Sequence, residues 1–194
     1  LDASKCDTEC NGLISIKIPI ITANAEISGV DTVCVSEMQI YELPRWGSTQ
    51  YTWYNTNDSC LNMHNGKSPN QYVLEFVQPG VVTIGANYIC TFLECGYFSA
   101  SPKTIIVKDT MSILSDKNTL CKGSTALFYT THSNSVQWRI YNQNDQQIFT
   151  TNAVTLSYTF TAAGNYKITA SHEDYCKVVE YHVTVLDNPP ALTS

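Results

Sequence analysis

Apolar and polar residues alternate along most of this chain with a period of two, the spacing that sends successive side chains to opposite faces of a strand. Ile14, Ile16, Ile18 and Ile20 are separated by Ser15, Lys17 and Pro19, and Pro19, unable to donate to a ladder, marks an edge strand. Val136, Trp138 and Ile140 alternate with Gln137, Arg139 and Tyr141. The pattern returns at Leu156, Tyr158 and Phe160, at Tyr166, Ile168 and Ala170, and at Val179, Tyr181, Val183 and Val185. Turn residues punctuate these runs at Asn142–Asp145, Ala162–Gly164 and His172–Asp174. No convincing helical period intervenes. About six or seven short strands in every 80 or so residues predict an all-β fold, an antiparallel sandwich with apolar inner faces.

The pattern occurs twice. Residues 72–86 (YVLEFVQPGVVTIGA) align without a gap on 156–170 (LSYTFTAAGNYKITA), so that Phe76 falls on Phe160, Gly80 on Gly164 and Ile84 on Ile168, an offset of 84. Upstream, TVCVSEMQIYEL matches TLCKGSTALFYT at an offset of 87, and between these anchors Trp53 corresponds to Trp138. Downstream, Cys95 precedes TIIVKD as Cys176 precedes HVTVLD, 81 residues later. One module repeated with unequal loops accounts for all of these offsets. The reading divides the chain into a module over 23–109 and another over 110–187. Residues 1–22, in which Cys6-x3-Cys10 precedes ISIKIPII, form the closing strands of a preceding module or an N-terminal extension. Residues 188–194, with Pro189-Pro190, form a stiff linker to a following one. A start at Leu1 with no signal peptide fits a mature product or an excised piece of a longer array.

Composition narrows the class without naming an activity. At 43% hydrophobic and 14% charged residues the 194-residue chain is too apolar to be disordered. Its 11 basic against 17 acidic residues argue against nucleic-acid binding, which needs Lys and Arg for phosphate. No apolar run approaches the roughly 18 residues of a membrane span. The eight cysteines, Cys6, Cys10, Cys34, Cys60, Cys90, Cys95, Cys121 and Cys176, occur with 12 tyrosines and many Thr, Asn and Ser, as in secreted or cell-surface proteins with disulfides. Structural zinc is the competing use. The spacings Cys6-x3-Cys10 and Cys90-x4-Cys95 and their acidic surroundings suit it less well.

The segment YTFTAAGNYKITA, the Cys121-Lys122-Gly123 start, the tryptophan in mid-module and the late cysteine before the last strand together resemble PKD-like domains. In particular they are similar to the tandem repeats of large surface adhesins of Bacteroidota, including gliding-motility and type IX-secreted proteins. The resemblance covers about 25–187. It implies tandem Ig-like sandwiches with Trp53, Phe76, Gly80, Trp138, Phe160, Gly164 and Tyr166 as core anchors. The WDFGDG-type turn of standard PKD domains is absent, since Tyr54-Asn55 follows Trp53 and Arg139-Ile140 follows Trp138. Ile84 and Ile168 stand where an Ig domain carries its core cysteine, and Tyr166 is placed as a corner tyrosine with its hydroxyl on nearby backbone. The family-like disulfides are Cys121–Cys176 and Cys34–Cys95. Standard Ig topology separates those positions by about 25 Å on strand-length arithmetic, against the few ångströms a disulfide spans. Two alternatives stand beside them: hairpin staples Cys6–Cys10 and Cys90–Cys95, or a bridge between modules, Cys34–Cys176.

No catalytic signature appears: no Gly-x-Ser-x-Gly, no His-Glu-x-x-His and no phosphate-cradling loop. His64, His132, His172 and His182 are scattered, and Glu173-Asp174 reads as a solvated turn. No cofactor is expected. Loop calcium at Asp58, Asp145 or Asp174 would lack the alternating Asp/Asn run that such loops use. Asn55–Gln71 reads as a long polar insertion peculiar to the first module, a loop able to carry recognition. Thr32 and Thr110, each after an aspartate, and Asn57 in Asn-Asp-Ser are glycosylation candidates. The expected function is that of a non-enzymatic adhesive or spacer stalk in a secreted, surface-exposed protein. Its partners would be neighbouring repeats and a surface carbohydrate or other extracellular ligand. The alternative is a pair of accessory, substrate-binding modules of a secreted hydrolase.

Overall fold

The computed structural model describes residues 21–64, 66–91 and 96–187. The closing strands expected before residue 21 and the linker after 187 lie outside these, as do Cys6, Cys10 and Cys95. Sixteen strands and no α-helix are found among the described residues. The fold is all-β and Ig-like.

The first sandwich is built from β1 (Thr32–Cys34), β2 (Met38–Glu42), β3 (Thr49–Asn55), β4 (Leu61–His64), β5 (Gln71–Phe76), β6 (Gly80–Cys90), β7 (Phe98–Ser99) and β8 (Lys103–Lys108). One sheet runs β1-β8-β6-β3, with β7 also on β6; the other runs β2-β5-β4. The second sandwich contains β9 (Ile113–Ser115), β10 (Thr119–Cys121), β11 (Thr125–Thr130), β12 (Val136–Tyr141), β13 (Gln147–Ala153), β14 (Thr155–Thr159), β15 (Gly164–Ser171) and β16 (Val179–Leu186). Its sheets are β10-β16-β15-β12-β13 and β14-β11-β9. The pairing is antiparallel except where β1 meets β8 and β10 meets β16, which are parallel. In each exception an early strand of the sandwich lies alongside the strand by which the chain leaves it.

Each sandwich buries its own apolar cluster. The alternation that predicts β12 and β15 places Trp138, Ile140 and Ile168 at 0% exposure, and Ile84 and Phe76 reach the same value in the first sandwich. The repeat extends to side-chain geometry. Tyr41 meets Phe76 edge-on at 6.4 Å and 79°, and Phe128 meets Phe160 at 6.4 Å and 79°. Such aromatic pairs add about 0.5–1.5 kcal/mol beyond area burial. Gly80 (φ 156°) and Gly164 (φ 144°) open β6 and β15 in backbone conformations that favour glycine. Beyond the second of these, Tyr166 is 8% exposed and donates its hydroxyl to the Ala162 carbonyl at 2.9 Å.

The polar stretch Asn55–Gln71 is not simply a loop. A 3-10 turn over Asp58–Cys60 leads into β4, which pairs with β5 from Leu61↔Phe76 to His64↔Val73. Only Leu61 of β4 is buried, so the strand has almost no alternation to betray it.

Candidate functional site at the module junction

The chain passes from β8 to β9 through Asp109–Ser112, and the most elaborate polar and covalent arrangement in the described residues gathers there. Cys34, at the end of β1, lies beside Lys108 in parallel register. Cys176 lies in the turn between β15 and β16 and is bonded to Cys34, with Cα atoms 5.6 Å apart and 142 residues between them in sequence. The family-like pairing is therefore corrected: Cys34 does not take Cys95, nor Cys121 Cys176. Because β1 runs parallel to β8, Cys34 sits at the end where β8 finishes, whereas Cys95 precedes the start of β8. Cys121 pairs with Leu186 at the far end of β16, ten residues beyond Cys176 and so about 30 Å along the strand.

Non-covalent ties surround the disulfide. The Cys176 amide donates to the Asp109 carbonyl at 3.0 Å, next to a parallel bridge between Asp109 and Tyr175. Lys108 Nζ donates to the Glu173 carbonyl. Glu37 acts on both sides of the seam: one carboxylate oxygen accepts the Cys34 amide at 3.2 Å, and the other meets Lys177 Nζ at 3.1 Å. The Cys34 amide foremost, and Lys177 after it, hold the Glu37 carboxyl below the usual glutamate value. Tyr175 stacks on His132 with centroids 4.4 Å apart and meets His172 at 5.6 Å in a tilted arrangement. His132 Nε2 lies 3.0 Å from the Thr110 carbonyl and 3.8 Å from Asp109 Oδ2.

The magnitudes rank these ties. An exposed ion pair such as Lys177–Glu37 contributes about 0–1 kcal/mol, whereas a disulfide closing a long loop contributes about 2–4 kcal/mol. The disulfide is the strongest of these ties. Sequence reading offers Cys34–Cys176 as one alternative among several, and misses Glu37, Lys177, Tyr175 and the convergence of His132 with His172. A faint signal was available, in the acid three residues after one cysteine and the base one residue after the other.

The remaining candidate residues are dispersed. Cys60 and Cys90 are buried and Cys121 exposed, each without a sulfur partner among the described residues. Thr32 and Thr110 are exposed, and Asn57 accepts the Ser59 hydroxyl at 2.7 Å. Asp58, Asp145 and Asp174 occupy three separate turns, and Asp145 pairs with Lys167 at 2.7 Å. No group of three or more His, Cys, Asp or Glu converges among the described residues. Trp138 donates its indole N–H to the Ala153 carbonyl at 3.0 Å. Trp53 is only half-buried, stacks on Tyr72 at 5.2 Å and borders an open cleft of about 600 Å³ with Met63, His64 and Lys67.

No protein-family model matches the chain, and no curated protein matches it in sequence. Solved structures do. The C-terminal 282-residue fragment of intimin, solved with the intimin-binding domain of the translocated intimin receptor, is 13% identical with a TM-score of 0.55. The match covers 82% of this chain and 63% of that fragment. The adhesin InvE of Yersinia pseudotuberculosis is 12% identical with a TM-score of 0.32, covering 84% of this chain and 58% of that one. The N-terminal four Ig domains of Dscam1 are 13% identical with a TM-score of 0.38, covering 90% and 48%. The chain thus spans under two thirds of these proteins' lengths. The intimin likeness bears on fold alone and supports an Ig-like one. No described helix is long and apolar enough to cross a membrane.

Proposed function

We propose that the chain is a non-catalytic spacer or adhesive segment of a secreted, surface-exposed protein, organised as modules over 23–109 and 110–187. Residues 1–22 and 188–194 would belong to its junctions with further repeats. The observation that carries this reading is the Cys34–Cys176 bond, which joins two sandwiches rather than the two sheets of one. A disulfide within a sandwich stabilises that unit, whereas one across a seam fixes direction, which is what a reach-setting stalk requires. The resemblance to PKD-like repeats of Bacteroidota adhesins agrees with this, and gliding motility or type IX secretion is its finer form. Glycans on Thr32, Asn57 and Thr110 would suit an extracellular setting.

Spin labels on Thr104 and Ser157, both exposed strand residues, test the reading by distance measurement. The oxidised chain should give one narrow distance distribution, and the Cys34→Ser/Cys176→Ser chain a broader one. Equal widths would overturn it.

A second reading, an accessory module that binds carbohydrate, is favoured by the half-exposed Trp53, stacked on the buried Tyr72, since sugar rings pack on aromatic faces. Glycan-array binding lost in Trp53→Ala would support it, and silence of the intact chain would return the weight to a spacer.

A further inference from the structure

Cys121 ends β10 as Cys34 ends β1, and the backbone around the two cysteines is the same. Cys34 pairs in parallel with Lys108, and Cys121 with Leu186. The next residue's amide reaches the exit strand in both, Val35 to the Lys108 carbonyl at 3.0 Å and Lys122 to the Leu186 carbonyl at 2.9 Å. The residue after that, Ser36 (φ 69°) or Gly123 (φ 86°), donates to the carbonyl of Phe76 or Phe160 at 2.7 Å in each case. Asp187 follows Leu186 as Asp109 follows Lys108. One member of the pair is already bonded to a turn cysteine of the next sandwich, while the other is exposed and has no sulfur partner among the described residues. Cys60 and Cys90 differ from both, being buried within the first sandwich.

We propose that Cys121 is the first half of a second disulfide between modules, closed by a cysteine that occupies the place of Cys176 in a β-sandwich following Asp187. This deepens the spacer reading and rests on it. A symmetric Cys121–Cys121 dimer fits less well. In the bonded junction the partner is a turn cysteine whose amide docks on the aspartate carbonyl after the exit strand, and that exit is reproduced at Asp187. Closure is an exchange with an oxidising disulfide carrier. The Cys121 thiolate attacks the carrier and releases one carrier thiol. The turn cysteine then attacks the mixed disulfide and releases the second. Two protons and two electrons thereby leave the protein for the carrier. Ser124 and Leu186 stand where Glu37 and Lys108 do, so this seam lacks both the ion pair of Glu37 and the carbonyl hydrogen bond of Lys108 and depends more heavily on its sulfur bridge.

The test lengthens the full chain with a copy of residues 110–187 placed directly after Asp187. The copy carries Cys121→Ser, so that one such cysteine remains, and Ser171→Thr, so that its turn peptide is separable by mass. After refolding in a glutathione redox buffer, Cys121 should be unreactive to maleimide, whereas in the unlengthened native chain it should react. Non-reducing peptide mapping should join it to the marked turn, with the original Cys34–Cys176 link intact. Cys121 left fully reactive, joined to another Cys121, or joined to a cysteine of residues 1–95 would overturn the proposal. Hydrogen exchange verifies that the copy has folded. If it has not, acid-quenched alkylation with non-reducing peptide mapping of the protein taken from its natural source decides, Cys121 joined to a cysteine beyond Asp187 supporting the proposal and a Cys121 that is free, or joined to another Cys121 or to residues 1–95, overturning it. Should Cys121 stay free while the spin-label distance across the first junction remains narrow, the spacer reading stands and this inference alone fails.

Discussion

After its tryptophan-bearing strand, each sandwich spends its next strand differently. In the first, β4 crosses to the sheet of β2 and β5; in the second, β13 folds back on β12 as a hairpin, from Val136↔Ala153 to Tyr141↔Gln147. The same residue therefore meets different fates. Trp138 is covered by the strand that receives its N–H, while Trp53 lies on an edge strand with its ring half open beside Tyr72. Turn chemistry accounts for the choice. Asn142, whose side chain accepts the amides of both Asn144 and Gln146, closes a tight hairpin, whereas the first sandwich has the longer Asn55–Cys60 connection, long enough to change sheets. A core can thus be conserved between two repeats while one edge is re-assigned from structure to surface.

Four experiments break or sharpen this contrast. Trp138→Ala should cost about 3–5 kcal/mol, as for other buried aromatics, and Trp53→Ala about 1–2 kcal/mol, in guanidinium unfolding followed by circular dichroism. Equal costs would mean that the edge assignment makes no difference. Cys34→Ser/Cys176→Ser should lower stability by about 2–4 kcal/mol and abolish the shift in melting temperature that a reductant causes in the parent. Tyr166→Phe should cost about 1 kcal/mol, the worth of one hydrogen bond. That effect belongs to the second sandwich, because Val82 holds the corresponding place in the first. The smallest effect concerns acid. Since Glu37 has a lowered pKa in the folded chain, its contribution is present above the ordinary glutamate value and lost as pH falls through the lower folded one. Amide exchange at Cys34 should therefore quicken in acid, relative to intrinsic exchange, in the parent and show no such change in Glu37→Gln.

The fold class was legible because strands such as β12 and β15 display their burial as alternation, and because a second copy of the pattern confirms the first. β4 was illegible for the opposite reason: with one buried residue in four, LNMH has no period. The junction was harder still. Its members come from β1, from the turns around His132 and Tyr175 and from the crossing segment, and nothing local in sequence connects Glu37 to Lys177. Strand direction was the missing fact. Once β1 is known to run parallel with β8, Cys34 can only face what comes next in the chain.

Tension applied to the two ends of such a chain would reach β1, cross the sulfur bridge to the turn before β16, and leave. Everything from β2 to β15 would sit in a slack parallel branch. The 142 residues spanned by the bridge, about 500 Å when fully drawn out, would stay unspent until a reductant cut the shortcut. A tether wired in this way carries stretch through one covalent link, loads only β1 and β16 of its strands directly, and keeps the length between them in reserve.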